Sequence, residues 1–199
     1  MANDTKIVLA SASASRQRLL QAAGLTFDVL ASNVDEPSVR SALVDVDPVD
    51  VAEVLARAKT EDVARRVDAR VVIGADQVLA FGGEILAKPT DMAEARAQLL
   101  DLKGSSHQLH SAVVIAHDDE ISWVHVDTVD VTMRDYSPAF VGRYLSAAGD
   151  EALTSVGCYQ LEGPGVQLIE KISGDYFSVL GLPLMPLLAE LRRLQVLDT

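Results

Sequence analysis

Acidic side chains follow two predicted strands of this chain, close to the points where those strands end. Asp35 and Glu36 come after the second predicted strand, and Asp76 follows the apolar run at residues 71–73. Open α/β sheets bind ligands at such strand ends, and carboxylate oxygens are ligands that Mg²⁺ prefers. A carboxylate here can also orient or deprotonate an attacking water. Because a charge ending so apolar a strand needs compensation, Asp76 is the strongest candidate.

Two lysines, Lys59 and Lys88, are candidates to compensate Asp76 and to contact a phosphate. The alternative for each acid taken alone is an ordinary turn residue or helix cap.

The tract LASASASRQR, residues 9–18, lies at a predicted turn from strand to helix. Hydroxyl and backbone N–H groups at a helix N-terminus suit bound phosphate, and a guanidinium can grip the same oxygens. Ser11 and Arg16 are therefore candidates for a phosphate cradle. The pattern GxxxxGK[ST] of a P-loop is absent. A serine-capped helix followed by a solvent-exposed arginine stays open as the alternative.

Composition limits the classes of function. The 199 residues carry a formal net charge of −12, which disfavours a duplex nucleic-acid binder. The apolar runs are too short for a membrane span, and the opening MANDTK lacks the pattern of a secretion signal, so we expect a cytoplasmic protein without membrane partners. The single cysteine, Cys158, excludes an intrachain disulfide and is expected to be a small buried side chain.

Strand and helix patterns alternate along the chain, which predicts an α/β fold with a mixed sheet in one two-lobed domain over residues 1–199. A Gly82-Gly83 hairpin and a turn at residues 118–120 account for the antiparallel part. The predicted strands are 6–10, 26–31, 71–73, 107–117, 121–133, 156–161 and 166–169. The predicted helices are 13–23, 48–67, 91–102 with Thr90 as a cap, 137–147 and 184–194, and residues 32–40 are a polar stretch.

Other catalytic patterns are weak. His107 and His110 are three apart on a predicted strand, which places them on opposite faces, and no HExxH helix is present to bind zinc. No G-x-S-x-G motif marks a serine nucleophile.

The motifs LASASASRQRLL, NVDE, ARAKTEDVA, GADQVL, AKP, LKGSSHQLHSAV, SVGCYQLEGPG and GDYFSVLGLPL occur in this order over nearly the whole chain. Together they resemble the Maf family of nucleoside triphosphate pyrophosphatases. The resemblance implies a fold like that of inosine triphosphate pyrophosphatases, also called the Ham1 type, and a homodimer. It implies hydrolysis of the bond between the α- and β-phosphates with Mg²⁺ or Mn²⁺, which keeps modified nucleotides out of nucleic acid.

The resemblance also implies roles for individual residues. Asp76 corresponds to the proposed general base, and Glu36 to an acid that binds metal or water, so both are candidate metal ligands. The family's phosphate-binding residues correspond to Ser11, Arg16, Lys59 and Lys88.

Three positions bear on the choice of base. Ser15 stands where the family has the first of two paired arginines. Gln77 and Glu162 stand where members that prefer dTTP and UTP carry Thr and Gln, and both are similar to the branch associated with 7-methyl-GTP. A carboxylate at Glu162 can pair with the N–H edge of a guanine-like base.

Two further functions stay open. One is a non-catalytic nucleotide-binding regulator of cell division, as the family's alternative name of septum-formation inhibitor suggests. The other is a plain α/β interaction protein.

Overall fold

The computed structural model describes residues 6–43 and 45–198, and they form an α/β fold with a mixed sheet. The strands are β1 (Ile7–Leu9), β2 (Asp28–Val29), β3 (Val71–Phe81), β4 (Glu84–Leu86), β5 (Ser106–His117), β6 (Glu120–Met133) and β7 (Ile169–Ser173). The helices are α1 (Ala14–Ala22), α2 (Glu36–Ala42), α3 (Pro48–Ala64), α4 (Met92–Leu102), α5 (Pro138–Ala148), α6 (Tyr176–Val179) and α7 (Leu184–Arg193).

The sheet order is β2-β1-β3-β5-β6-β7, with β4 paired to β3. β1 pairs in parallel with β2 and β3, whereas β3 with β4 and β6 with β7 are antiparallel. The predicted mixed α/β fold is therefore confirmed. Within the described ranges, no helix is both long and apolar enough to cross a bilayer.

The described residues divide into two compact units. Unit 1 comprises the described residues of Met1–Gln77, Ser111–Asp127 and Tyr176–Thr199, and unit 2 comprises Val78–His110 and Thr128–Asp175. The single domain over residues 1–199 stays a prediction.

Unit 1 has a hydrophobic cluster on each face of its strands. Ile7, Leu9 and Ile73 belong to a cluster that includes side chains of α1 and α7, whereas Val8 and Val72 belong to a cluster that includes side chains of α3. Alternation along a strand sends successive side chains to opposite faces. The start of β3 is thus covered on both sides, as its unbroken apolar run predicts. The strand predicted at 71–73 was too short, however, because β3 continues to Phe81, and Asp76 lies within the strand rather than after its end.

Unit 2 contains α4, α5 and three 3-10 turns, Gly149–Leu153, Val156–Cys158 and Pro164–Leu168, and buried polar contacts link parts of it. The Tyr144 hydroxyl donates to the carbonyl oxygen of Cys158 over 2.9 Å. Cys158 is buried as expected, and burial raises the pKa of its thiol to about 12. His107 Nε2 lies 2.7 Å from the Tyr159 hydroxyl, and burial lowers the pKa of His107 to about 4. His110 instead lies 2.9 Å from Thr128 Oγ1, so the two histidines have different partners.

Several predicted elements were wrong. Residues 156–161 and 166–169 are not strands, because Val156–Cys158 and Pro164–Leu168 are 3-10 turns and β7 begins only at Ile169. Cys158 has a φ of 64°, a left-handed conformation that does not fit a strand.

Three further differences lie near helix starts and the sheet edge. The stretch at residues 32–40 contains α2, whose N-cap Asp35 accepts from the backbone N–H of Ser38. The strand at 26–31 shrinks to β2, which is exposed. Asp91 rather than Thr90 caps α4 and accepts from the backbone N–H of Glu94 over 2.8 Å.

One glycine sets how closely α3 packs on β3. A Cβ at Gly74 would overlap Thr60 Oγ1 and lie 3.0 Å from the carbonyl oxygen of Ala56. The Thr60 hydroxyl already donates to that carbonyl over 2.7 Å, and Thr60 is completely buried. Neither partner has room to retreat, so only glycine permits this approach of helix to strand.

We therefore expect Gly74→Ala to lower the free energy of unfolding by about 1–3 kcal/mol, because overpacking forces the helix away from the strand. Chemical denaturation checks this. Gly163→Ala is the matched control, because its added Cβ would meet nothing closer than 3.9 Å and its φ is negative. Equal stabilities of the two variants would contradict the close packing.

Candidate active site

Three elements of unit 1 bring charged side chains together around Lys59. The ammonium group contacts Asp76 Oδ1 and lies 2.8 Å from Glu36 Oε1. Lys59 is 7% exposed and Asp76 4%, whereas nearly half of the Glu36 side chain is exposed. Two of the predicted catalytic acids and one predicted phosphate ligand thus form one cluster, which extends from the interior to the surface.

The sequence of α3 explains why a lysine is buried here. Asp47 caps the helix by accepting from the backbone N–H of Val49, and the helix then presents a buried face that includes Leu55 and Val63. Lys59 lies four residues from each of these, on the same face. The close approach at Gly74 lets that face meet β3, two residues before Asp76. A charge on an apolar helix face needs a partner, and β3 supplies it.

Asp76 uses its two carboxylate oxygens differently. Oδ1 contacts Lys59, whereas Oδ2 is buried and has no hydrogen-bond partner among the described residues. Buried acceptors are almost always satisfied in native proteins, so this oxygen is poised for a water, a cation or a substrate group.

Arg40 is a further member of the cluster, and it was not predicted from the sequence. Its Nη2 lies 4.0 Å from Asp76 Oδ2 and 3.9 Å from Glu36 Oε2, and its Nε is buried with no hydrogen-bond partner in the described part of the chain. The signal was present, because Glu36 and Arg40 are four residues apart and pair across one turn once α2 forms.

Arg16 is anchored by hydrogen bonds from its guanidinium group. Its Nη1 donates to Ser11 Oγ over 3.1 Å, and its Nε donates to the carbonyl oxygen of Gly181 over 2.8 Å. Burial lowers the pKa of the Arg16 guanidinium, while the charges of Asp76 and Glu36 act to raise it. Arg16 therefore lies within electrostatic reach of both acids.

The alternative for this tract was half correct. Ser13 does cap α1, accepting from the backbone N–H of Arg16, but Arg16 is buried rather than solvent-exposed.

Gln77 is held by its amide nitrogen. Nε2 donates to the carbonyl oxygens of Ser178 and Val179, over 2.9 and 3.1 Å, and to Ser111 Oγ over 2.9 Å. None of these three partners was identified from the sequence, because two of the contacts are to main-chain carbonyls.

Lys88 and Glu162 belong to unit 2, where both are exposed. Lys88 lies between β4 and α4, and Glu162 lies between the 3-10 turns Val156–Cys158 and Pro164–Leu168. Their predicted contacts with substrate stay predictions, as do the roles of the residues in unit 1.

The carboxylates of Asp76 and Glu36 fit a divalent cation in their chemistry and number. Mg²⁺ is commonly held by one or two carboxylates, with water and substrate phosphates completing its octahedron. The unpartnered Asp76 Oδ2 is a suitable hard ligand. No cluster of three or more His, Cys, Asp or Glu suited to a metal occurs within the described ranges. A protein-only metal cage is therefore not what these residues form.

Comparison with known proteins gives consistent results. The model of the family described as "Maf-like protein" matches residues 6–194. A 7-methyl-GTP pyrophosphatase of Brucella abortus biovar 1 (strain 9-941) is 51% identical and is matched over 97% of this chain and 98% of its own length. A nucleoside triphosphate pyrophosphatase of Bradyrhizobium diazoefficiens is 47% identical, with 96% and 95% covered.

A solved structure with some likeness is the Staphylococcus aureus Ham1 protein. It is 18% identical, with a TM-score of 0.41, and the match covers 66% of this chain and 73% of that one. The α/β fold rests on the strands and helices described above rather than on this likeness. Because the family model and the two relatives span nearly the whole chain, the resemblance seen in the motifs is confirmed, and the chain belongs to the Maf-like protein family.

Proposed function

We propose that this protein hydrolyses a nucleoside triphosphate to the monophosphate and pyrophosphate, with Asp76 as the general base. The observation that carries the proposal is the buried Lys59-Asp76 pair, which leaves Asp76 Oδ2 without a hydrogen-bond partner in the described residues and close to Arg40. The names of the relatives, nucleoside triphosphate pyrophosphatase and 7-methyl-GTP pyrophosphatase, support the same reaction.

In the proposed reaction a water oxygen attacks the α-phosphorus while its proton passes to Asp76 Oδ2. The bond from the α-phosphorus to the bridging oxygen breaks, and pyrophosphate leaves with the bonding electrons. Lys59 fixes the other carboxylate oxygen, so the base keeps one orientation through the step.

Positive charge for the triphosphate comes from side chains of unit 1. Arg16, Arg40 and Lys59 all lie within reach of the two acids. Because the chain as a whole carries a charge of −12, an anion is attracted only where such cations are concentrated. The guanidinium groups can bind phosphate oxygens in pairs, which orients the chain of phosphates for attack. Lys88 of unit 2 is a further phosphate ligand in this proposal.

A divalent cation belongs to the proposal. Glu36 and Asp76 would hold Mg²⁺ or Mn²⁺, which would stabilise negative charge on the pyrophosphate leaving group.

The nucleobase of the substrate is proposed to be guanine-like, as in 7-methyl-GTP, with Gln77 and Glu162 as the residues that bind it. Cytoplasmic location, the homodimer, and the absence of nucleic-acid and membrane partners stay predictions. No feature of the described residues favours the non-catalytic regulator of cell division.

The reaction is tested by its products. We expect the protein with Mg²⁺ or Mn²⁺ to release pyrophosphate and monophosphate from a panel of 7-methyl-GTP, GTP, dTTP, UTP and CTP. Asp76→Asn should reduce the rate about 100-fold to 10,000-fold, because it removes the proton acceptor. Glu190→Gln is the matched control: it makes the same acid-to-amide change at a buried carboxylate that pairs with Arg193. Release of orthophosphate alone, or full activity of Asp76→Asn, would contradict the proposal.

The metal is tested by binding as well as activity. A chelator should abolish turnover, and Mn²⁺ should restore it. Because only two protein carboxylates are offered, we expect tight Mn²⁺ binding only when an α,β-methylene nucleotide analogue supplies further oxygens. Electron paramagnetic resonance of Mn²⁺ measures this, with the analogue alone as background. Glu36→Gln should weaken the ternary complex. Tight Mn²⁺ binding without nucleotide, or turnover that survives chelation, would contradict the assignment.

A further inference from the structure

The segment of residues 176–182, called here the anchor segment, holds two predicted substrate residues through its main-chain carbonyls. The carbonyl oxygens of Ser178 and Val179 accept from Gln77 Nε2, and that of Gly181 accepts from Arg16 Nε. Whatever fixes the anchor segment therefore fixes both side chains.

The hydrogen bonds determine which end of the Gln77 amide is left to bind a ligand. Ser111 Oγ donates its single hydrogen to the carbonyl oxygen of Ser178 over 2.7 Å, so its oxygen must accept from Gln77 Nε2. The two hydrogens of Nε2 are shared among three acceptors within 3.1 Å, and none remains for a ligand. Only Oε1, a hydrogen-bond acceptor, is left to meet a substrate.

An acceptor at this position selects the chemistry of its partner. A phosphate oxygen is also an acceptor, so Gln77 Oε1 cannot bind the triphosphate. Its partner must be a donor, which a nucleotide offers as an N–H of the base or as a hydroxyl of the sugar.

Asp127 of β6 fixes the anchor segment. Ser178 Oγ donates to Asp127 Oδ2 over 2.6 Å, and Ser178 is completely buried. Hydrogen bonds to a carboxylate are stronger than neutral ones. Asp127 Oδ1 lies 2.8 Å from His125 Nε2, and the His125 ring stacks on Trp123 with 5.7 Å between centroids and 5° between planes. The carboxylate is thus held from both sides.

We propose that Asp127 is a positioning residue for base selection: through Ser178 it locks the Gln77 amide so that the site presents an acceptor and favours a nucleotide with a donor there, above all a guanine-type base. This rests on the proposed function and concerns its substrate. Asp127 contacts no reacting atom in this proposal, so its removal should change discrimination between nucleotides more than it changes the rate of the chemical step.

The test compares kcat/KM for GTP and three analogues that each lack one donor: ITP lacks the exocyclic amino group, 1-methyl-GTP the ring N–H, and 2′-deoxy-GTP the 2′-hydroxyl. We expect the wild type to prefer GTP over ITP or 1-methyl-GTP. If GTP is preferred only over 2′-deoxy-GTP, the donor is the 2′-hydroxyl of the sugar. That result would overturn the proposal that Gln77 Oε1 meets an N–H of the nucleobase. Equal values for all four, or hydrolysis of other nucleotides without hydrolysis of GTP or 7-methyl-GTP, would overturn the acceptor assignment.

The variants then test the role of Asp127. Asp127→Ala and Ser178→Ala should each reduce the preference for GTP about tenfold or more, because Gln77 is no longer held in one orientation. Asp127→Asn keeps an oxygen that can accept from Ser178 and should retain most of the preference. Asp130→Ala is the matched control, since Asp130 also lies on β6 but accepts from Gln108 instead.

The two failures are distinguishable. Thermal melts verify that Asp127→Ala and Ser178→Ala are folded. If these variants keep the wild-type preference for GTP, the positioning role of Asp127 is overturned, while pyrophosphate release by the wild type still supports the proposed function. No pyrophosphate from any nucleotide with the wild type would overturn both.

Discussion

The buried ammonium group of Lys59, shared by Asp76 and Glu36, is the interaction on which the proposed chemistry depends. Charges taken out of water are costly, and removing one member of a buried pair typically costs about 3–5 kcal/mol. This pair therefore fixes the relative positions of α3 and β3, and Gly74 allows the two elements to come close enough to form it. Because Lys59 occupies only one oxygen of Asp76, the same contact that stabilises the fold leaves the other oxygen open for chemistry.

A second level of organisation lies in main-chain carbonyls. Carbonyl oxygens of the anchor segment accept hydrogen bonds from both Arg16 and Gln77. A single piece of backbone therefore positions a cationic side chain and a hydrogen-bond acceptor. The two groups suit opposite ends of a nucleotide: the guanidinium matches phosphate oxygens, and the amide oxygen matches an N–H donor. Asp127, which fixes this backbone, would thereby affect which base is chosen without contacting it.

The sequence predicted those parts of the molecule that depend on side-chain pattern. The apolar start of β3 and the acid three residues after it were visible, as was the helix that carries Lys59, but the strand runs on past Asp76 to Phe81. The helix α2 was missed because none of its residues is buried, so no apolar periodicity marks it. The strand predicted at 156–161 failed because the positive φ of Cys158 has no signature in its residue type. The contacts of Gln77 could not be found because carbonyl acceptors are carried by every residue.

The most direct measurement of the central interaction is a double-mutant cycle on the free energy of unfolding. Lys59→Met leaves the buried Asp76 without its ammonium partner, and Asp76→Asn leaves Lys59 with only the half-exposed Glu36, so each should destabilise the protein, whereas the double variant removes both charges of the pair. We therefore predict a coupling free energy of about 2 kcal/mol or more, with Lys59→Met and Glu190→Gln as an additive control pair. Additivity of Lys59→Met and Asp76→Asn within about 0.5 kcal/mol would contradict the account.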